Sequence, residues 1–148
     1  MADDDPMDVP AMLKKLNAAL SLQFRSVIEQ TLVAGTLRGV QWQPFESLLL
    51  GYADEELADA RRIAQKIVAI GGRPTTDTPS FDLPETSEEA LNQLIEHECE
   101  TVAAFHAAIE DTGQEPRSEA MEHRLEHLIM RKQEQVDTLR RTLGLADD

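Results

Sequence analysis

The 148-residue sequence predicts an all-α fold: one bundle of four long helices running up, down, down and up. Three observations carry that prediction. Four segments repeat apolar residues at the roughly 3.6-residue period of a helix. Aromatic residues make up only 4% of the chain against 41% hydrophobic, which favours aliphatic helix packing over a β-sandwich. One connection, between the second and third segments, is far longer than the other two.

The elements follow in order. Residues 1–8, MADDDPMD, are acidic and lead into no apolar run, so they read as a disordered, solvated tail and not as a secretory signal. Asp8 can cap the first helix, with Pro10 in its opening turn, and the apolar spacing continues to about Leu37. RGVQWQP is a short break. A second helix runs from about Pro44 to Ile70 and stops at Gly71-Gly72. The stretch GGRPTTDTPSFDLPE has three prolines and almost no periodicity, which marks residues 71–86 as a linker. Thr86 followed by Glu89 is a capping box that opens a third helix, ending near Gly113. Pro116 starts the fourth, which ends at Gly144, and residues 145–148 form a short tail. Residues 9–144 are thus one domain.

Loop lengths set the topology. The two short connections make helix one antiparallel to helix two, and helix three antiparallel to helix four. A linker of roughly 15 residues can reach about 50 Å, more than the about 40 Å of a 27-residue helix. It can therefore run the length of the bundle and set helix three parallel to helix two.

Composition excludes several functions. A formal charge of −14 repels nucleic acid and anionic membrane. No apolar run approaches the roughly 18 residues of a membrane span. The single cysteine, Cys99, allows no internal disulfide, and a cytoplasmic location is expected. There is no Ser-His-Asp arrangement, glycine-rich phosphate loop or Cys-x-x-Cys.

Each apolar stripe carries a polar residue at its centre. On helix two, Leu49, Tyr52, Ala60, Ile63, Ile67 and Ile70 share a face centred on Glu56, with Asp59 at its edge. On helix one, Leu16, Val27, Ala34 and Leu37 centre on Gln23, with Gln30 beside it. Leu91, Leu94, Val102, Phe105 and Ile109 surround Glu98 on helix three. Met121, Leu125, Leu128, Val136, Leu139 and Leu143 surround Lys132 on helix four, with Gln135 at the edge. One charged residue in an apolar stripe usually snorkels to water. Four at mid-helix should meet, and buried charges must then neutralise each other or hold a cation: Lys132 is expected within ion-pair reach of Glu98 or Glu56, with Gln23 and Gln135 completing the hydrogen bonds.

These positions resemble the di-iron carboxylate pattern of ferritin-like bundles: Glu, Glu-x-x-His, Glu and Glu-x-x-His on successive helices. The chain is similar to the bacterioferritin family over nearly its whole length. LNAALSLQFRSVIEQ looks like that family's first helix, IVAIGGRP like the end of its second and VDTLRRTL like its fourth. The resemblance implies that Gln23 stands at the first glutamate position, Glu56 keeps the second and Asp59 replaces its histidine. Glu98 is retained, while Lys132 and Gln135 occupy the last Glu-x-x-His. Leu57 falls at the haem-ligating methionine, so no haem is expected, and the sequence ends at GLADD where the cages have a fifth short helix.

The family site sets about four negative charges against two divalent cations. Here Glu56, Asp59 and Glu98 supply three at most, and Lys132 adds a tethered cation. The expected function is a ferritin-like protein with a degenerate di-iron site, not a competent ferroxidase, acting by binding or assembly. One alternative is iron or manganese handling at a reduced site, with a single divalent metal on Glu56, Asp59 and Glu98. Another is a structural bundle whose polar core serves only conformational specificity. A homodimer through helices one and two is expected, burying the apolar VQWQPFESLLL segment, and a protein partner is possible. His123 and His127, four apart on helix four, can jointly bind zinc or copper, although they lie off the Leu125 and Leu128 stripe on what reads as a solvated face. His97 and His106 share no face and carry no assigned role.

Overall fold

Side chains supplied by the sequence fix where the helices begin. In the computed structural model, which describes residues 6–145, Asp8 Oδ1 accepts from the Ala11 N–H at 3.2 Å and opens α1, Val9–Thr36. A 3-10 turn at Val40–Trp42 leads into α2, Gln43–Ala69. Thr86 Oγ1 accepts from the Glu89 N–H at 3.2 Å, capping α3, Ser87–Ile109. Pro116 sits in the first turn of α4, Pro116–Leu143, and Gly144 ends it in the left-handed conformation at φ 73°. Among the described residues every regular element is helical.

Two boundaries differ from the expectation. α3 stops at Ile109, four residues before Gly113, because Thr112 Oγ1 donates back to the Ile109 carbonyl at 2.9 Å and closes the last turn. The acidic N-terminal segment is not tail throughout: Met7 is only 5% exposed and packs into the core, and the Asp8 N–H donates to the Asp111 carbonyl at 3.3 Å. Residues 1–5 of that segment lie outside the described residues.

Bonds between helices fix their directions. Lys15 meets Ala107 and Asp111 while Arg25 meets His97 and Glu100, so α1 and α3 are antiparallel. Asn17 binds Arg73 and Gln23 binds Glu56, so α1 and α2 are antiparallel too. α2 and α3 therefore run parallel, which gives the up-down-down-up order. The crossover travels the full length of the bundle. Asn17 holds its start, accepting from the Thr75 N–H at 2.8 Å, and Gln93 donates to the Asp82 carbonyl at 2.8 Å near its end.

The core is split in two. One apolar cluster joins Met12, Leu16 and Leu20 to Ile63, Ile67, Phe105 and Leu125. The other joins Val33, Phe45 and Leu49 to Leu91, Leu94, Val136 and Leu139. Between them lies a buried polar layer. The VQWQPFESLLL flank is turned inward more than its composition implies. Phe45 is buried with the Trp42 ring 6.1 Å away, and Leu48 packs against the same cluster, leaving Val40 and Leu50 exposed.

Candidate functional site

The polar layer forms because the helical period carries one polar side chain per stripe to mid-height. Lys132 crosses from α4 and is 1% exposed. Its Nζ donates to Glu56 Oε1 at 2.6 Å and to Glu98 Oε2 at 2.6 Å, and reaches Ser26 Oγ at 3.4 Å. Both carboxylates are fully buried. The Lys132 ammonium thus stands between the α2 and α3 carboxylates, using its three donors on three acceptors from three helices.

Electrostatics make the two glutamates unequal. Burial pushes Glu56 well above the usual carboxylate range, against the pull of Lys132, and the neighbouring Glu98 adds to the rise. Burial acts on Glu98 in the same direction, but Lys132 and the hydrogen bonds of Glu56 and Ser26 overcome it and hold Glu98 below the ordinary range. Lys132 is raised, because its two carboxylates outweigh the burial that would lower it. One proton on the glutamate pair leaves the layer neutral, which is what a water-free interior favours.

The other polar residues of the stripes have different partners from those expected. Gln23 donates to the Glu56 backbone carbonyl at 3.0 Å and not to a carboxylate. Gln30 is the amide that reaches Glu56 Oε1, at 3.4 Å. Gln135 donates to Glu55 Oε2 at 3.1 Å, at the margin of the layer. Asp59 is buried, yet its Oδ1 is bound by Arg62 and Arg131, each at 2.7 Å. It is therefore drawn to two arginines and away from the three-carboxylate grouping that the spacing suggested. Among the described residues no three His, Cys, Asp or Glu side chains gather as a metal-binding group.

A second buried charge escaped the sequence reading. Glu29, fully buried on α1, accepts from or shares a proton with His97 Nδ1 at 2.8 Å, and Gln93 Nε2 lies 3.5 Å from its other oxygen. Burial raises the Glu29 pKa, and the His97 hydrogen bond opposes the rise. The Phe81 ring of the crossover stands edge-on to His97 with centroids 6.3 Å apart. His97 thus has a partner after all. The one signal for it was Glu29 itself, an ionisable side chain beside Gln30.

On the outer face of α1 and α2, a depression of about 440 Å³ is lined by Phe24, Asp54, Leu57, Arg61 and neighbouring alanines. Leu57 is 54% exposed there. No helix among the described residues is long and apolar enough to cross a membrane.

A family model described as a ferritin-like domain matches residues 13–147. Among solved structures, the chain is similar to a ferritin-like, diiron-carboxylate protein from Bacillus anthracis str. Ames. That match has 24% identity and a TM-score of 0.86, and covers 92% of this chain and 97% of that one. It is also similar to the bacterioferritin-related protein of Bacteroides fragilis, described as a dodecameric thioferritin, at 20% identity and a TM-score of 0.83, covering 93% and 87%. No curated protein sequence matches the chain.

Proposed function

The chain belongs to the ferritin family, and from that premise we propose that its carboxylate centre is closed by an internal ammonium, so that it works by binding and assembly and not by oxidising ferrous iron. The observation that carries this reading is the position of Lys132 Nζ, 2.6 Å from a carboxylate on α2 and 2.6 Å from one on α3. A pair of metal ions needs bridging carboxylates and about four negative charges facing it. Here two carboxylates face one fixed cation, and Asp59 is neutralised by Arg62 and Arg131. These residues do not fit a dinuclear iron centre. The ammonium takes one oxygen of each glutamate and repels a divalent ion at short range.

A second reading draws on the oxygens left over. Glu56 Oε2, Glu98 Oε1 and Asp59 Oδ2 are buried and have no hydrogen-bond partner among the described residues. One divalent cation, iron or manganese, held by Glu56, Asp59 and Glu98 would use them, at the cost of moving Lys132 aside.

Elemental analysis separates the two after growth with added iron and manganese. The first reading expects no stoichiometric iron or manganese, the second one such ion per chain; two per chain in the wild-type protein would overturn both. The first also expects Lys132→Glu, which restores a carboxylate and removes the resident cation, to bind ferrous iron at least about tenfold more tightly, a gain of about 1.4 kcal/mol.

Assembly belongs to the same proposal. The exposed Leu50 and Leu57 flank of α2 supports a homodimer through α1 and α2. Asp54 and Arg61 stand about two turns apart on either side of Leu57. A two-fold axis between Leu57 and Ala58 sets each copy's Asp54 opposite the other copy's Arg61. Light scattering at moderate salt should give a mass near twice the 16.5 kDa chain. A particle of dodecamer size or larger would overturn the dimer and bring storage forward as the function.

A further inference from the structure

Away from the central layer, His123 and His127 stand one turn apart on α4, both exposed. Their Nε2 atoms face each other at 3.1 Å, with ring centroids 4.5 Å apart and planes at 69°. Two neutral rings in this pose share one N–H···N bond, one Nε2 donating and the other accepting. The same separation is the bite of a chelate. With metal–nitrogen distances of about 2.0–2.1 Å, two donors are about 2.9 Å apart at a right angle and about 3.4 Å apart at the tetrahedral angle. The observed 3.1 Å lies between those limits.

We infer that His123 and His127 form a two-imidazole site for a borderline divalent cation, Cu²⁺ ahead of Zn²⁺, on the outer face of α4. The Nε2 atoms already stand at a chelating separation, so binding needs only a turn of each ring from facing the other toward a shared metal. To bind, the donating ring moves its proton from Nε2 to Nδ1. Both Nε2 lone pairs then reach the metal, and the pair releases no proton. A cavity of about 380 Å³ adjoins the rings, its other walls including Lys66 and Arg124. The coordination positions left open therefore take water or a small anion, which those two side chains can hold near the metal. Their repulsion of the cation is set against a formal charge of −14 on the chain, which concentrates cations around it. Cu²⁺ leads because nitrogen sites rank first-row divalent ions in that order and because its square geometry suits the shorter bite. This site is independent of the reading given to the central layer.

The test is titration of the full chain with Cu²⁺ and, separately, Zn²⁺, with the paramagnetic resonance of the copper form as a second readout. The wild-type chain should take one Cu²⁺ with an equatorial two-nitrogen signature. His123→Ala and His127→Ala should each weaken binding at least about tenfold, since each breaks the chelate. Both positions are exposed on a helix, so thermal melting should be nearly unchanged, and His123→Gln gives a second variant if it is not. The double variant controls for copper held elsewhere, at the chain terminus for example. Equal Cu²⁺ affinity and the same signature in wild-type and double variant would overturn the site, as would no wild-type binding below millimolar Cu²⁺.

Discussion

Two regions of this bundle bury a glutamate completely, and they neutralise it in opposite ways. At the centre, Glu56 and Glu98 meet an ammonium that is itself 1% exposed, so the charges and their partner are all removed from water. At the edge of α1 and α3, Glu29 is equally buried, but its partner His97 keeps 18% of its side chain exposed beneath the crossover. The central cation cannot leave without crossing an apolar core. The edge partner can rearrange toward solvent, and Glu29 can take up a proton instead. The central layer is therefore a fixed part of the fold, and the Glu29–His97 pair is an adjustable one. The difference teaches that a buried carboxylate demands an internal counter-charge only where water cannot reach.

The sharpest way to break that contrast is Lys132→Met. It leaves two glutamates in a dry core with no cation, and breaking a buried ion pair from one side costs about 3–5 kcal/mol. Urea unfolding should show a loss of that size. Adding Glu56→Gln and Glu98→Gln to the same chain should recover most of it, because no charge is then left unpaired. A loss below about 1 kcal/mol in the single variant would mean that the layer is wet, and the centre and edge would no longer differ.

Next in size is His97→Ala. It removes the main hydrogen-bond partner of Glu29 and, among the described residues, leaves Gln93 at 3.5 Å. Stranding a buried acceptor costs about 1–3 kcal/mol, and the lower half of that range is expected because Glu29 can be protonated. Equal losses for His97→Ala and Lys132→Met would remove the distinction between a fixed and an adjustable charge.

How much of this was legible in the sequence depends on how far each side chain reaches. The bundle, its crossover and its helix starts follow from periodicity, loop length and local caps such as Asp8 and Thr86, all short-range features. The meeting of Glu56, Glu98 and Lys132 follows from stripe and height alone. Asp59 sits on the same stripe, but its partners Arg62 and Arg131 belong to polar faces and reach it only through long side chains. Periodicity carries no information about that reach. Gln23 and Gln135 were misdirected for a related reason: an amide bonds equally well to a backbone carbonyl or to a glutamate at the margin, and spacing cannot choose between them. The pairing of Glu29 with His97 depends on the relative height of α1 and α3, which the long crossover leaves free in the sequence and packing sets in the structure.

The smallest effect separates the two regions by sign. Burial raises the Glu29 pKa from its ordinary 4.5; Glu98 adds to the rise, while His97 and Gln93 oppose it. A raised carboxyl pKa means that the folded state binds this proton more tightly than the unfolded chain does. The stability contributed by Glu29 is then complete below 4.5 and is lost as pH rises through its folded pKa. Gln at this position resembles the protonated acid and does not titrate. Glu29→Gln should therefore match the wild-type protein at low pH and become slightly the more stable of the two above that window, by about 1 kcal/mol or less. Urea midpoints of the two proteins, compared between about pH 4 and 8, should separate with rising pH, while the titration of Glu56 cancels because both chains share it. A variant that instead loses stability as pH rises would show that Glu29 is held ionised as firmly as Glu98 is by Lys132. The edge of the bundle would then be a second fixed centre.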